Sequence, residues 1–240
     1  MNIDNFKELM CSYGREIDIE FNDKQLSQFY EYMNLLLEWN EKINLTAITE
    51  PEEVILKHFI DSLTINKYIK ENKTLADVGT GAGFPGIPLR IYRPDLNVTL
   101  VDSLNKRINF LNEVISKLEL KDISTVHSRI EDFGKDKKYR ENFDYVTARA
   151  LANLTTLSEY LIPISKVGGK CICMKGNDVK EEIDNGKKAI NILGGRIDRI
   201  DKFKLPNSDI SRNVIIIDKI KNTPNKYPRK AGMPSKEPLK

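Results

Sequence analysis

The 240-residue chain is poor in the residues that build metal sites and disulfide frameworks, with three cysteines and two histidines. Cysteine stands at 11, 171 and 173, an odd number, and Cys171 and Cys173 flank Ile172 in a segment that reads as a buried strand. Neither a disulfide scaffold nor a zinc site is expected from that pattern. His58 and His127 are far apart in sequence, and no metal is expected. Long apolar runs are missing too. None approaches the roughly 18 residues of a membrane span, and the start Met1-Asn2-Ile3-Asp4-Asn5-Phe6 lacks the basic-then-apolar layout of a signal peptide. A soluble, cytoplasmic globular protein with no membrane partner is the expectation. Net charge is only +3, too small to establish a nucleic-acid partner. The end of the chain is nevertheless locally basic: Lys221, Lys226, Arg229, Lys230, Lys236 and Lys240 face one acid, Glu237. No internal repeat is visible.

Chemistry concentrates between Leu75 and Leu89, where an apolar strand ending in a carboxylate, Asp77, feeds a turn with glycine at 79, 81, 83 and 86. Glycines let the backbone turn sharply and let a ligand approach the main chain, so the loop reads as a cradle for a nucleoside. Gly81-x-Gly83-x-x-Gly86 satisfies the dinucleotide fingerprint, and Asp102 lies 19 residues beyond Gly83, near the spacing for a ribose-binding carboxylate. Charge separates two cofactors. A pyrophosphate at the helix N-terminus would be repelled by Asp77, whereas S-adenosylmethionine (SAM) has no phosphate and carries sulfonium and ammonium cations that a strand-end carboxylate favours. SAM is therefore expected rather than a nicotinamide dinucleotide. Asp102 ends a second strand, Asn97-Val98-Thr99-Leu100-Val101, and is assigned to the ribose hydroxyls, with a helix N-cap as its alternative.

Residues 1–72 read as a helical extension. Leu26, Phe29, Met33, Leu36 and Leu37 recur at helical spacing, and Thr49-Glu50-Pro51-Glu52 predicts a capping box opening a helix that runs past Val54, Phe59 and Leu63 to Ile69. From residue 73 to 221 the pattern alternates between strands and helices. Strands are predicted near 74–78, 97–101, 123–127, 142–147, 170–174, 196–202 and 212–217, the last two as an antiparallel pair at one edge. The expected fold is α/β: a doubly wound, mostly parallel seven-stranded sheet with helices on both faces. Residues 222–240 form a basic tail. Its prolines at 224, 228, 234 and 238 argue against a regular helix and for a semi-extended cationic strip along a phosphate backbone, the alternative being a merely solubilising terminus. Deleting the tail is then expected to weaken RNA binding more than SAM binding.

The end of the fourth strand, Phe143 to Ala150, is informative by what it lacks. It has no Asn/Asp-Pro-Pro-aromatic segment of an amine-methylating enzyme, and no cysteine nucleophile for a pyrimidine C5 reaction, Cys171 being the nearest. Guanine N7 fits better, because it is an unprotonated lone pair and in-line displacement there requires no general base.

Asn44-Leu45-Thr46, His58-Phe59-x-Asp61-Ser62-Leu63, the loop Asp77 to Leu89, Asp102-Ser103-x-x-Lys106-Arg107, Thr147-Ala148-Arg149-Ala150 and the tail Tyr227-Pro228-Arg229-x-x-Gly232-x-Pro234-x-Lys236-x-Pro238-Leu239 together carry a resemblance. Over nearly its whole length the chain resembles the bacterial small-subunit (16S) ribosomal RNA guanine-N7 methyltransferases, also called the glucose-inhibited division protein B family. The resemblance implies the Rossmann-like fold of the class I SAM-dependent methyltransferases and methyl transfer from SAM to one guanine of 16S ribosomal RNA near the decoding region; a small-subunit particle as partner and a monomeric enzyme are further expectations that the sequence itself does not decide. Carried over by motif, it implies cofactor contacts at Gly79, Phe84, Asp102, Ile130, Glu131 and Arg149, to which Asp77 and Gly81 are added from the loop itself. The family usually has serine where this chain has Thr147, which keeps the hydroxyl, and a smaller residue at Ile130.

Each of these residues has a plainer alternative. Glu131 could cap a helix rather than meet the adenine edge, and Arg149 could be a surface ion-pair partner rather than a contact to cofactor or RNA. His58 and Asp61, on one helical face, read as a structural link between helix and sheet, and no residue is assigned as catalytic. Lys175, Arg229, Lys230 and Lys236 are candidates for RNA phosphate, although lone lysines are usually just solvated. Two rival classes remain at this point. A nicotinamide-linked oxidoreductase would need a proton donor beside a hydride site, and none is evident; a non-catalytic RNA-binding module would have no use for Asp77, Asp102 and the loop together.

Overall fold

The computed structural model describes residues 1–176 and 179–239. The chain opens with two helices, α1 (Ile3–Arg15) and α2 (Asp23–Ile43). In α2 a reciprocal capping box forms, the Asn22 side chain accepting the Gln25 N–H while the Gln25 side chain accepts the Asn22 N–H. The box expected at Thr49 to Glu52 does not form. There Glu50 is the N-cap without a side-chain hydrogen bond, and Pro51 takes the first helical position, where a missing N–H costs nothing. The helix that follows is built from α3 (Pro51–Val54), a π-helical stretch Ile55–Ile60 and α4 (Asp61–Leu63). It ends earlier than the apolar spacing suggests, and Ile69 lies in extended backbone after a single 3-10 turn.

Seven strands and their helices follow: β1 (Thr74–Val78), α5 (Gly86–Tyr92), β2 (Asn97–Asp102), α6 (Asn105–Lys117), β3 (Ile123–His127), α7 (Ile130–Phe133), β4 (Phe143–Arg149), α8 (Leu154–Leu161), β5 (Ser165–Lys175), α9 (Lys180–Leu193), β6 (Gly195–Lys204) and β7 (Ser211–Lys219). They make one sheet of order β3-β2-β1-β4-β5-β7-β6. β1 to β5 are parallel, and β7 runs antiparallel to both β5 and β6, which places the expected antiparallel pair at the edge. β4 extends two residues beyond its predicted end, so Arg149 belongs to the strand itself.

Alternation along the strands divides the core in two. Leu75, Leu100, Ile172 and Ile216 point to the face covered by α1, α2, the bent helix, α5 and α6, whereas Ala76, Val101, Cys171 and Ile217 point to the face covered by α7, α8 and α9. The N-terminal helices thus share a core with the sheet: Phe6, Phe29, Tyr32 and Phe59 are fully buried against it.

The tail departs most from the sequence reading. Residues 222–239 wrap back over α7 and α8 and include a short helix, α10 (Met233–Lys236), with Pro234 in its first turn. Arg140 donates to the carbonyls of Thr223 (2.8 Å) and Tyr227 (2.6 Å), and Glu131 accepts the Gly232 N–H (2.7 Å). The carboxylate of Glu159 has a side chain only 1% exposed; it accepts the Arg229 backbone N–H (2.8 Å) and pairs with the Arg229 guanidinium (2.7 Å). Arg229→Ala strands that buried carboxylate, and a loss of about 3 kcal/mol of stability is expected. Denaturant unfolding checks it; a loss below about 1 kcal/mol, the range of exposed pairs, would show the tail to be loosely held.

Candidate active site

The strand order reverses between β1 and β4, and the carboxyl ends of those strands border the crevice in which open α/β sheets bind ligands. The loop Gly79 to Pro85 lies there. Its first two amides, Gly79 and Thr80, donate to the Val101 carbonyl at the end of β2 (2.8 and 3.1 Å). Asp77, completely buried, accepts from the Thr80 hydroxyl (2.6 Å) and the Gly86 N–H (2.8 Å) through Oδ2. Asp102, 2% exposed, accepts the Gly81 N–H (3.0 Å) and the Leu104 N–H (2.9 Å) and pairs with Arg107 (3.3 Å). The N-cap of α6 is Leu104, two residues after Asp102, so Asp102 is not the cap; its carboxylate divides between the Leu104 N–H and the Gly81 N–H of the loop.

Three glycines of the loop, at 79, 81 and 83, have positive φ, and two of them shape the opening. Gly83 has φ +99°, and a Cβ there would lie 2.8 Å from the Tyr32 hydroxyl. Gly81 has φ +62°, and the space where its Cβ would project is open for 4 Å. That opening, between the two strand-end carboxylates, can accept a ligand lying on the main chain. Asp77 Oδ1 is buried with no hydrogen-bond partner among the described residues. Burial pushes the Asp77 carboxyl up to about 6, against the opposing pull of Thr80, Gly86 and Arg149. A cationic ligand group nearby would favour its ionised form.

The other wall comes from the helical extension. Arg149, at the end of β4, donates to Asp61 Oδ2 (3.2 Å), to His58 Nδ1 (3.0 Å) and to the Lys57 carbonyl (2.9 Å), and its guanidinium lies 4.9 Å from the Phe84 ring centre. His58 stacks on Phe84 with ring centres 4.5 Å apart. Because Arg149 can only donate, His58 Nδ1 is the acceptor and Nε2 carries the proton toward Thr46 Oγ1 (2.9 Å). Burial and the adjacent guanidinium push His58 down to about 3, so it is neutral. Asp61 Oδ1 is taken by Arg212 of β7 (3.0 Å). His58 and Asp61 therefore join helix to sheet, as their spacing suggested, with Arg149 as the link. Arg149 is a half-buried hub with three partners, not a surface ion-pair partner. Tyr32 completes this wall: its hydroxyl donates to the Ala82 carbonyl in the loop.

Asp77, Gly79, Gly81, Phe84, Asp102 and Arg149 are thus gathered around one loop. Ile130 and Glu131 open α7 beyond β3, both buried, and Glu131 does not cap that helix, whose N-cap is Arg129. Lys175 is not free for phosphate: its ammonium is committed to Glu182 (2.6 Å) and the Ala152 carbonyl (2.5 Å). Arg229 is likewise engaged, whereas Lys226, Lys230 and Lys236 are exposed. Burial pushes the Cys171 thiol up to about 12 and the Cys173 thiol up as well, which suits packing and not nucleophilic attack. Tyr32, Thr46 and Arg212 were not identified as site residues from sequence alone. Thr46 belongs to a quoted motif; of the other two, Tyr32 lies inside the predicted helical run without being singled out, and Arg212 opens a predicted strand.

Strand order, glycine loop and the carboxylate ending β2 define the fold of the class I SAM-dependent methyltransferases. A SAM-dependent methyltransferase from Aquifex aeolicus superposes with a TM-score of 0.52 at 18% identity, covering 72% of this chain and 96% of that one. A ribosomal protein L11 methylase from Lactobacillus delbrueckii gives 0.52 at 18% identity over 69% and 79% of the two chains. The chain belongs to the family "GidB: rRNA small subunit methyltransferase G", which matches residues 25–214. Among its relatives, the ribosomal RNA small subunit methyltransferase G of Acetivibrio thermocellus is 56% identical over 97% of this chain and 96% of that protein. That of Clostridium novyi is 50% identical over 98% and 97%. This membership sets aside both the nicotinamide-linked oxidoreductase and the non-catalytic RNA-binding module.

The two buried titrating groups act on stability in opposite directions. Asp77 holds its proton more tightly folded, about 6 against an ordinary 3.8, so its contribution is full below pH 3.8 and lost as pH rises through about 6. His58, about 3 against 6.5, contributes fully above pH 6.5 and loses that contribution as pH falls toward about 3. Asp77→Asn retains an acceptor for Thr80 and Gly86 but cannot ionise. In denaturant unfolding of the ligand-free protein, the variant is expected to gain roughly 2–3 kcal/mol on the wild type between about pH 4 and pH 7. A difference independent of pH would show that Asp77 ionises in its ordinary range.

Proposed function

We propose that the protein transfers the methyl group of SAM to N7 of a guanine in 16S ribosomal RNA near the decoding region. The observation that carries the cofactor is the opening above Gly81, bounded by two buried carboxylates, one with an unpartnered oxygen. A nucleoside with a cationic, phosphate-free tail matches this donor set; a pyrophosphate would be set against Asp77. When bound, SAM supplies a methyl group made electrophilic by its sulfonium sulfur. Asp77 is the counter-charge to the cationic end. Asp102, with a lone pair left after Gly81, Leu104 and Arg107, accepts from the ribose; the Gly79 and Gly81 backbone and Phe84 bound the adenosine; Ile130 and Glu131 lie toward its base.

The N7 assignment is supported by the state of the ionisable groups around the crevice. The imidazole of His58 has both nitrogens in hydrogen bonds and stays neutral down to about pH 3, and Asp61 is held by two arginines. Neither is available to take a proton. N7 presents a lone pair and no proton, so orientation and exclusion of water suffice. The ribosomal RNA substrate is supported by family membership, and the exposed Lys226, Lys230 and Lys236 are suited to phosphate contact.

Methyl transfer from labelled SAM to small ribosomal subunits lacking base methylation, followed by nucleoside mass spectrometry, is expected to yield 7-methylguanosine; label in another nucleoside would overturn the N7 assignment. Asp102→Ala removes the ribose acceptor and the anchor of Gly81 together, and SAM affinity is expected to fall by about 100-fold or more; unchanged affinity would move the cofactor elsewhere. Deleting the tail would disturb Glu131 and Glu159 and so cannot separate RNA from cofactor binding. Replacing Lys226, Lys230 and Lys236 by alanine does. The slope of log affinity for RNA against log salt is expected to become shallower by roughly 2 with SAM affinity unchanged; an unaltered slope would place these lysines outside the interface.

A further inference from the structure

A cavity of about 500 Å³ opens at the carboxyl ends of β4 and β5, beside the cofactor loop. Its cations are Lys57, Arg149, Lys175 and Arg212 and its carboxylates Asp61 and Glu182; Lys175 is paired with Glu182 and both arginines share Asp61, so the lining as a whole, and no one free ammonium, carries the positive excess that suits a nucleotide. Ile48 and Met174 add apolar surface for a base. Arg149 joins this cavity to Phe84 of the glycine loop, so an occupant of the cavity faces the loop.

The two carboxylates differ in what they have left to offer. Asp61 uses one oxygen for Arg149 and the other for Arg212. Glu182, near the start of α9, uses only Oε2, which accepts both the Leu154 N–H (2.9 Å) and the Lys175 ammonium (2.6 Å). Its Oε1 receives no hydrogen bond among the described residues, and the side chain is 32% exposed. One oxygen is therefore anchored and the other left without a partner on a residue that lines this cavity.

We propose that this cavity takes the target guanine and that Glu182 selects it, Oε1 accepting from the Watson–Crick edge; the proposal rests on the methyltransferase reading above. Guanine presents the N1–H and the exocyclic amine on that edge, two neighbouring donors that a carboxylate can accept. Adenine presents the bare N1 acceptor instead, which a carboxylate repels. A guanine held by that edge turns its opposite edge, with N7, back toward the loop. The same contact thus sets both the base chosen and the atom methylated, and it shields N1 and the exocyclic amine from the methyl donor.

Glu182→Gln tests this while sparing the anchor, because the amide oxygen still accepts from Leu154 and Lys175. Its amide nitrogen is a donor that opposes N1–H of guanine and suits N1 of adenine. The substrates are reconstituted small subunits carrying guanine, or adenine in its place, at the mapped position. For guanine particles kcat/KM is expected to fall by roughly 100-fold, with SAM Kd and melting temperature unchanged, and the guanine-to-adenine ratio is expected to narrow by at least about tenfold. An unchanged ratio would overturn the proposal. So would a parallel loss of SAM affinity or melting temperature with the ratio intact, which assigns Glu182 to structure. Wild-type protein that forms no 7-methylguanosine on guanine particles would overturn the underlying reading itself, a separate result.

Discussion

A loop of glycines has no side chains with which to hold itself in place, and the active site depends on how this one is held. Two carboxylates at the ends of neighbouring parallel strands do the holding. Asp77 reaches forward to Thr80 and the Gly86 amide, so the loop is closed at both ends by one oxygen. Asp102 reaches across to the Gly81 amide at its crest. Charged acceptors make the stronger class of hydrogen bond, and both carboxylates are buried, where competition from water is small. The arrangement has a cost: a buried carboxylate oxygen, Asp77 Oδ1, is left unmatched. A protein built only for stability would cover or replace it. Its persistence beneath the glycine loop fits a site whose electrostatics are completed by a cationic ligand.

The helical extension belongs to the same device. Tyr32 reaches the Ala82 carbonyl from below, and a side chain at Gly83 would strike its hydroxyl, so the loop path is moulded on α2 as much as on the strands. Arg149 ties the end of β4 to the bent helix through His58 and Asp61, and Arg212 brings β7 to the same carboxylate. A buried ion cluster of this kind is weak evidence for stability, since desolvation offsets much of its attraction. What it supplies is position. It sets the distance between the glycine loop and the neighbouring cavity, and it keeps the imidazole in one tautomer.

The periodic part of the fold was legible in the sequence because it is local. Strand runs, the glycine loop and the strand-end acids are written in consecutive residues, and the antiparallel edge followed from the short gap before the last strand. The site residues that share the loop were legible for the same reason. The tail was not. Its path is decided by pairs such as Glu159 with Arg229 and Glu131 with Gly232, which lie 70 and 101 residues apart and carry no periodic signal. Proline and lysine density alone read as an extended cationic strip, although tertiary contacts fold it against the body and commit Arg229 to Glu159 while Lys226, Lys230 and Lys236 stay exposed. Lys175 misled in the same way, since its partner Glu182 lies across a helix start. Tyr32 was hidden by its own pattern: an aromatic at core spacing gives no hint that its hydroxyl meets the loop.

The chemistry follows from how completely the crevice is committed. Its histidine is neutral and bonded at both nitrogens, its arginines are paired, and its thiols are buried and hard to ionise. A reaction that moved a proton would need at least one of these groups to titrate near neutrality. Methyl transfer to an unprotonated ring nitrogen asks for something else: two partners held in line within fixed, dry walls. Groups locked in hydrogen bonds before the substrates arrive need no reorganisation when they meet, and that is the condition under which electrostatic positioning is most effective. The same locking that withdraws His58, Asp61 and the thiols as bases therefore suits an acceptor that does not require one.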